Sequence, residues 1–269
     1  MPDKEFDGKT ILITGGAGGF GTAFSQALSE QGAALVITDI NETAGKALAN
    51  AITESGGRCE FMAHDVTDDA AWAQAVQLAI DSYGGLDVVI NNAGIEISQL
   101  LIDTDAAECM ALININVIGS MLGMKHAFRV MQPDGAAGKG GVVLNLASVA
   151  AISATPGLGA YSASKAAVSN LTWVAAAESG RQGYGVRVNA LCPSLIDTAM
   201  GKKLISDFAD MGFGDSVGEV ETALLERMPI GRYGTVDDVV QAALYMCSDR
   251  SSFLTGVSLP VDGGMSIPE

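Results

Sequence analysis

The chain has 269 residues, of which 48% are hydrophobic and 17% are charged, so it can bury a sizeable core and is not intrinsically disordered. The formal net charge of −16 gives an acidic surface, which repels phosphate groups and argues against nucleic-acid and membrane-surface partners. The four cysteines are far apart and form no CxxC pair, so we expect reduced thiols of a cytoplasmic protein, no disulfide framework and no metal site.

Short apolar runs alternate with helical stretches along the chain. In the first half, the pattern predicts strands over residues 9–14, 33–39, 58–63 and 86–91, with helices over 20–31, 42–55 and 69–82 between them. In the second half, it predicts a helix around 107–131, a strand over 141–146, a helix over 161–181, a strand over 186–191, a helix over 236–247 and a last strand over 258–261. The uncharged segment 140–164 is broken by glycines and polar residues, so we expect no membrane-spanning helix there.

The predicted strands are continuous apolar runs, which is typical of strands buried on both faces. Their alternation with helices predicts an α/β fold, a Rossmann-type doubly wound parallel sheet of about seven strands with helices on both faces. The glycine-rich segment 133–141 is too short to separate domains, so we expect a single domain over 1–269. The segment of approximately 195–228 departs from the alternation, because it is helical and rich in large apolar side chains.

A glycine-rich segment, TGGAGGFG at 14–21, lies between the first predicted strand and the first predicted helix. Glycines allow a tight turn and a close approach of a pyrophosphate, and a helix N-terminus offers free N–H groups to it. The spacing Gly15-x-x-x-Gly19-x-Gly21 differs from the G-x-G-x-x-G fingerprint, and on its own the segment also fits an ordinary turn. Its place between strand and helix favours a dinucleotide-binding loop.

Asp39 ends the second predicted strand. A carboxylate at this position can accept hydrogen bonds from the adenosine ribose and repels a 2′-phosphate, so it favours NAD over NADP. The alternative is a cap for the helix that follows, since Asp is common at such positions. The distance from the glycine-rich segment favours the ribose role.

Tyr161 and Lys165 are one helical turn apart, so their side chains share a face. A cation near a phenol lowers its pKa from about 10, which makes the phenol a better base. Ser148 and the segment 91–94 (NNAG) each follow a predicted strand, at the sheet edge where open α/β sheets bind ligands. Asn116 lies within a predicted helix, where Asn is a poor helix former and needs a specific reason.

Over nearly its whole length the chain resembles the short-chain dehydrogenase/reductase family. The resemblance rests on motifs in family order and at family-like spacing. These are TGGAGGFG at 14–21, Asp39, Asp65-Val66, NNAG at 91–94, Asn116, Ser148, Tyr161-x-x-x-Lys165, Asn189-x-x-Cys192-Pro193 with Thr198, and GVSLPVDGG at 256–264. Ser194 departs from the pattern, because the family often has Gly at this position beside the nicotinamide and the substrate.

The resemblance implies that Tyr161 is the catalytic acid/base and that Lys165 lowers its pKa and holds the nicotinamide ribose. It also implies that Ser148 polarises the substrate oxygen and that Asn116 anchors a water beside Lys165. The residues expected to contact the cofactor NAD (NADH) are Gly15, Gly18, Gly19, Phe20, Gly21, Asp39, Ile40, Asp65, Val66, Asn92, Ala93, Gly94, Tyr161, Lys165, Pro193, Ile196 and Thr198.

The apolar segment 195–228 fits either plain packing of two short helices or a substrate lid, and the family resemblance implies the lid. Without basic side chains paired to hold a carboxylate, it predicts a hydrophobic and cyclic or bulky substrate. The residues expected at the substrate are Ser148, Ile95, Glu96, Ile152, Ser153, Ser194, Met200 and Leu204.

The sequence therefore predicts an NAD-dependent dehydrogenase that interconverts a secondary alcohol, such as a hydroxysteroid-like or cyclic alcohol, and a ketone. One alternative is a 3-oxoacyl thioester reductase of the same family, against which Asp39 and the acidic charge argue. Another is a non-catalytic dinucleotide-binding regulator, against which the complete set of catalytic side chains argues. The family resemblance further implies a homotetramer.

Overall fold

The computed structural model describes residues 4–267, and these build one parallel β-sheet covered by helices on both faces. The strands are β1 (Thr10–Thr14), β2 (Ala34–Asp39), β3 (Arg58–Ala63), β4 (Val88–Asn91), β5 (Gly141–Leu146), β6 (Val186–Pro193) and β7 (Ser258–Val261). Their order is β3-β2-β1-β4-β5-β6-β7, and every neighbouring pair is parallel. The predicted seven-stranded Rossmann-type sheet is confirmed, and its strand order reverses between β1 and β4.

The helices follow the predicted positions closely. They are α1 (Gly19–Glu30), α2 (Glu42–Glu54), α3 (Asp69–Tyr83), α4 (Ala106–Ile113), α5 (Gly119–Met131), α6 (Gly159–Gln182), α7 (Ala199–Asp210), α8 (Val217–Glu226) and α9 (Val236–Cys247). The helices α7 and α8 occupy the apolar segment between β6 and α9, and they pack around Ile205, Phe208 and Val220. Their role as a lid stays a prediction.

Two apolar cores cover the two faces of the sheet, because successive strand side chains point to opposite sides. Ile11 and Ile13 of β1 pack with side chains of α1, α2 and α9. Leu12, between them, packs on the other face with Trp72 and the helices α3, α5 and α6. The strands β1, β2, β4, β5 and β6 are thus buried on both sides, as expected. The same expectation is wrong for the edge strands β3 and β7, which are only partly buried because each has a neighbouring strand on one side only.

The single helix predicted around 107–131 is divided. A π-helical turn, Asn114–Ile118, joins α4 to α5 and contains Asn116. Such turns are rare and frequently accompany functional sites. Taken as one stretch, Ala106–Met131 is long and apolar enough to cross a membrane, since an 18-residue window within it has a mean hydropathy of 1.4. In this structure the stretch packs against α3, α6 and the strands β4 and β5.

Candidate active site

A cavity of about 620 Å³ runs across the carboxyl ends of the strands. It extends from Asp39, at the end of β2, to Pro193, at the end of β6, and continues under α7 and α8. Because the sheet order reverses beside β1, the loops after β1 and β4 separate here and leave room for a ligand. The cavity therefore lies where open α/β sheets bind dinucleotides.

The loop between β1 and α1 needs glycine at specific positions. Gly15 has a φ of +61°, and a Cβ on it would lie 2.9 Å from the Ala93 Cα. A Cβ on Gly21 would collide with the Gly15 carbonyl oxygen, whereas one on Gly19 would project into open space. Gly21 thus lets the first turn of α1 pack directly against Gly15, whereas Gly19 leaves the space beyond the N-terminus of α1 open.

The N-terminus of α1 is open to an anion. Its N-cap residue is Gly18, which supplies no capping side chain, and the first turn contains no acidic residue. Gly18, Gly19 and Phe20 line the cavity. Unsatisfied N–H groups and the positive end of the helix dipole favour a phosphate at such a site. The loop therefore fits the pyrophosphate of a dinucleotide.

Asp39 joins the glycine loop to the start of α2. Its Oδ2 accepts a hydrogen bond from the Ala17 amide at 3.0 Å, and its Oδ1 accepts one from the Asn41 amide at 2.9 Å. Asn41, not Asp39, is the N-cap of α2, since its Oδ1 accepts from the Ala44 amide at 3.1 Å. A fixed negative charge therefore stands at this end of the cavity, where no Lys or Arg is among the described lining residues.

The ends of β1 and β4 are fastened to each other. The Asn92 side-chain amide donates to the carbonyl oxygens of Thr14, at 3.0 Å, and Gly15, at 2.9 Å. In return, the Thr14 hydroxyl accepts from the backbone amides of Asn92 and Ala93, both at 3.1 Å. These bonds hold the glycine loop against the end of β4.

Ser148 follows β5 and is almost completely buried. Its hydroxyl oxygen accepts a hydrogen bond from the Ala150 amide at 3.2 Å, at the start of the short helical turn Val149–Ala151. A hydroxyl has one donor and two acceptor positions. The Ser148 O–H interacts with the Tyr161 hydroxyl, and this interaction lowers the pKa of that phenol.

Tyr161 and Lys165 lie one turn apart on α6, as predicted. The Lys165 Nζ is 5.6 Å from the centroid of the Tyr161 ring and donates to the Leu146 carbonyl oxygen at 2.7 Å. Burial lowers the pKa of Lys165 to about 8. Burial also raises the pKa of Tyr161 above its usual value, and the charge of Glu96 raises it further. In the protein alone the phenol is therefore protonated at neutral pH, and the expected lowering of its pKa by Lys165 stays a prediction.

Asn116 lies behind the cavity wall and is not one of its lining residues. Its Oδ1 accepts from the Ile95 amide and its Nδ2 donates to the Ile95 carbonyl oxygen, both at 2.9 Å, and Nδ2 also donates to the Ser164 hydroxyl at 3.1 Å. These three hydrogen bonds explain why an Asn occurs within a helical segment. Its expected role as an anchor for a water stays a prediction.

The cavity brings together most of the predicted site residues. All the predicted cofactor contacts line it except Gly21, which packs behind the loop. Among the predicted substrate contacts, the lining residues are Ser148, Ile95, Glu96, Ser194, Met200 and Leu204.

Ile152 and Ser153 do not line the cavity. The turn Val149–Ala151 closes on itself, because both the Ile152 and Ser153 amides donate back to the Val149 carbonyl oxygen. Ile152 is consequently 45% exposed, and the Ser153 hydroxyl accepts from Arg227 at 3.4 Å. Val149 and Ala150 occupy the cavity wall instead.

Sequence reasoning missed several lining residues, most of them apolar. They include Thr155, Leu158, Phe208, Leu224 and Met265. Phe208 and Leu224 belong to the apolar segment singled out as a lid, so amphipathic spacing in α7 and α8 could have identified them. Met265 has no comparable signal in the sequence, because it reaches the cavity from beyond the last strand.

Comparisons with known proteins agree with this geometry. The model of a family described as enoyl-(acyl carrier protein) reductase matches residues 15–266. The 2-(S)-hydroxypropyl-CoM dehydrogenase 3 of Xanthobacter autotrophicus is 35% identical over 96% of both chains. The trans-4-hydroxycyclohexanecarboxylate dehydrogenase of Sinomonas cyclohexanicum is 35% identical over 95% of this chain and 92% of its own. A structure of NAD+-bound xylitol dehydrogenase superposes with a TM-score of 0.90, at 29% identity over 97% of this chain and 100% of that chain.

Proposed function

The chain belongs to the short-chain dehydrogenase/reductase family of oxidoreductases, and from this premise we propose that it uses NAD to interconvert a secondary alcohol and a ketone. The observation that carries the proposal is the meeting of Ser148, Tyr161 and Lys165 on the wall of one cavity, whose other end holds Asp39 and the glycine loop. Hydride transfer requires a cofactor beside a proton acceptor. This cavity contains both residues suited to bind a cofactor and a side chain, Tyr161, suited to accept a proton.

The residues present fit a dinucleotide. The uncapped N-terminus of α1, with Gly18, Gly19 and Phe20, would hold the pyrophosphate, and Asp65 and Val66 would contact the adenine. The remaining contacts would come from the ends of β4 and β6 and from α6. These are Asn92, Ala93, Gly94, Tyr161, Lys165, Pro193, Ile196 and Thr198.

The preference for NAD over NADP rests on Asp39. Both carboxylate oxygens are fixed by backbone amides, so the negative charge cannot turn away from a ribose 2′-phosphate. Lys165 is the only Lys or Arg among the described residues that line the cavity, and it lies at the catalytic end. A 2′-phosphate would thus meet repulsion without a compensating cation.

Bound NAD would supply the acceptor for the hydride that leaves the carbinol carbon. Tyr161, as a phenolate, takes the proton of the substrate hydroxyl while the carbonyl bond forms. With the substrate bound, Ser148 donates its O–H to the substrate oxygen, on which negative charge develops. Lys165, held by the Leu146 carbonyl, keeps a positive charge beneath the Tyr161 ring.

The substrate side of the cavity favours a hydrophobic, cyclic or bulky alcohol. Its wall is formed by apolar side chains of α7 and α8 and of the loops before α6 and after β7: Leu158, Met200, Leu204, Phe208, Leu224 and Met265. The similarity to a dehydrogenase named for a hydroxycyclohexanecarboxylate supports a cyclic substrate. We further propose that residues of approximately 195–228 act as a lid that excludes water during the reaction.

Two other functions compete with this one. The description of the matching family model supports a reductase of acyl carrier protein substrates, but Asp39 and the net charge of −16 disfavour NADPH and an acidic carrier. A non-catalytic regulator would have no need for the buried Lys165 beside Tyr161. Both alternatives predict no NAD-dependent oxidation of simple secondary alcohols.

We also propose one domain over 1–269, a cytoplasmic location and assembly into a homotetramer. Exposed apolar side chains on α4, α5 and α6 support the assembly, among them Met110, Met121 and Trp173. Sedimentation analysis would test it, and a monomer at micromolar concentration would contradict it.

The experiment that tests the function is the formation of NADH from a panel of secondary alcohols, from small aliphatic to steroid-sized, with NADP in parallel. Oxidation of bulky or cyclic alcohols with NAD, and much less with NADP, is the expected result. Binding of NADH without turnover of any alcohol would overturn the proposed reaction.

A further inference from the structure

Glu96 is an acidic side chain at the catalytic end of the cavity that forms no ion pair with the residues that the structure describes. The other acidic lining residues, Asp39 and Asp65, follow β2 and β3 and belong to the nucleotide end. The Glu96 Oε1 accepts from the Ser98 hydroxyl at 2.9 Å. Its Oε2 has no hydrogen-bond or ion-pair partner within residues 4–267, although the side chain is partly buried.

The backbone that carries Glu96 is fixed. Asn116 binds both the amide and the carbonyl of the preceding residue, Ile95, at 2.9 Å each. The backbone next to Glu96 is therefore held at the catalytic end, and the Ser98 hydroxyl binds the carboxylate itself. It also lies within electrostatic reach of Tyr161, because its charge raises the pKa of the phenol.

The nearest cations are already engaged. Lys203 of α7 lies close enough to lower the pKa of Glu96, but it is paired with Asp207 at 2.5 Å and is largely exposed. Lys165 donates to the Leu146 carbonyl oxygen. Burial raises the pKa of Glu96 above its ordinary value, which is what a carboxylate without a strong partner undergoes. A partly buried acceptor that lines a cavity, such as the Glu96 Oε2, favours a ligand that brings a donor to it.

We propose that Glu96 is a specificity-determining residue whose Oε2 accepts a hydrogen bond from a second hydroxyl of the substrate, next to the carbinol that reacts at Tyr161. The preferred substrate is then a cyclic or bulky diol rather than a mono-alcohol. This inference rests on the proposed function and narrows its substrate class.

A neutral hydroxyl suits the site better than an ammonium group. Lys165 lies at the same end of the cavity and carries a positive charge, which would repel a second cation. A carboxylate on the substrate would in turn be repelled by Glu96. The apolar wall contributed by Leu204 and Phe208 accommodates the hydrocarbon ring.

The test compares kcat/KM for cis- and trans-1,2-cyclohexanediol with that for cyclohexanol, all with NAD. The native enzyme is expected to prefer one diol at least about tenfold, because a site built to bind a hydroxyl discriminates against an analogue without it. In Glu96→Leu the ratio of kcat/KM for the preferred diol to kcat/KM for cyclohexanol should fall close to one. Cyclohexanol should be oxidised faster than by the native enzyme, because binding it no longer removes water from a carboxylate. Glu96→Gln keeps an acceptor oxygen and should retain part of the preference.

Lys202→Met is the matched control on α7 and should leave the ratio unchanged, because its ammonium is paired with Asp197 and does not shift the pKa of Glu96. Retained NADH binding would show that Glu96→Leu is folded.

Equal loss of diol and cyclohexanol activity in Glu96→Leu would overturn the inference, as would faster turnover of trans-2-aminocyclohexanol than of either diol. Turnover of diol and cyclohexanol with equal kcat/KM by the native enzyme would overturn this inference alone, whereas no turnover of any alcohol would overturn the proposed function with it.

Discussion

Asn116 binds Ile95 at both of its backbone groups, through an Oδ1 that accepts from the amide and an Nδ2 that donates to the carbonyl, each at 2.9 Å. Ile95 is the first residue after the NNAG segment and lines the cavity beside Glu96. A side chain from the π-helical turn between α4 and α5 thereby fixes the loop that follows β4. The position of the backbone at Glu96 depends on this contact.

Asn116→Leu is expected to destabilise the protein by about 3 kcal/mol, because two backbone groups of Ile95 would each lose a buried partner at a cost of about 1–3 kcal/mol. We also expect KM for the alcohol to rise more than the dissociation constant of NADH, since the loop with Glu96 would loosen. Urea unfolding and steady-state kinetics measure both effects. Ser164→Ala removes only one of the Asn116 bonds and should cost less. An unchanged urea midpoint for Asn116→Leu would contradict the role.

Tyr161→Phe is expected to lower kcat by about 10²–10⁴-fold, because it removes the proton acceptor and leaves the ring in place. NADH affinity should change little, which a fluorescence titration would measure. If NADH binding is lost together with turnover, Tyr161 acts mainly in holding the cofactor and the assigned role is wrong.

The pH dependence of alcohol oxidation should reflect the Tyr161 phenol. Oxidation needs the phenolate, so kcat/KM rises as the pH rises through the pKa of Tyr161, which burial and Glu96 raise. Glu96→Gln removes a negative charge, lowers that pKa and should move the rising limb to lower pH. Glu226→Gln, an exposed change on α8, is the control and should leave the profile in place. A shift toward higher pH in Glu96→Gln would have the wrong sign.

Asp39→Asn is expected to lower the preference for NAD over NADP about tenfold or more, because the charge that repels a 2′-phosphate is removed. The ratio of kcat/KM for the two cofactors measures this. Asn41→Ala removes the cap of α2 and should cost about 1 kcal/mol of stability without changing the ratio. The same loss of preference in both variants would mean that loop geometry, and not charge, selects the cofactor.

Two glycines of the same loop should respond differently to alanine. Gly19→Ala meets no atom within 4 Å, so the fold should be retained or slightly stabilised, while the methyl group in front of α1 weakens NADH binding about tenfold or more. Gly21→Ala collides with the Gly15 carbonyl and should lower the melting temperature as well. Calorimetry and NADH titration of both variants give the comparison. Equal melting temperatures would refute the distinction.

Much of the fold could be predicted from the sequence, because its signals are local. Continuous apolar runs gave the buried strands, and the glycine-rich segment between a strand and a helix gave the loop at the cavity. Tyr161 and Lys165 share a helix face by spacing alone. The catalytic and cofactor roles of these residues stay predictions.

Other features were decided only by the tertiary structure. Ile152 and Ser153 follow the predicted sheet edge, yet a single turn that closes on Val149 directs them out of the cavity. The sequence likewise showed that Asn116 needed a partner but not that the partner was Ile95.

The sequence by itself determined the α/β architecture, the glycine-rich loop and the helix that carries Tyr161 and Lys165, because each depends on residues within a few positions of one another. The tertiary structure decided how Glu96 is held near Tyr161, why Gly21 lies behind the loop and how Met265 reaches the cavity. These depend on contacts between segments far apart in the chain, and such contacts are set by packing and side-chain direction, which local periodicity does not encode.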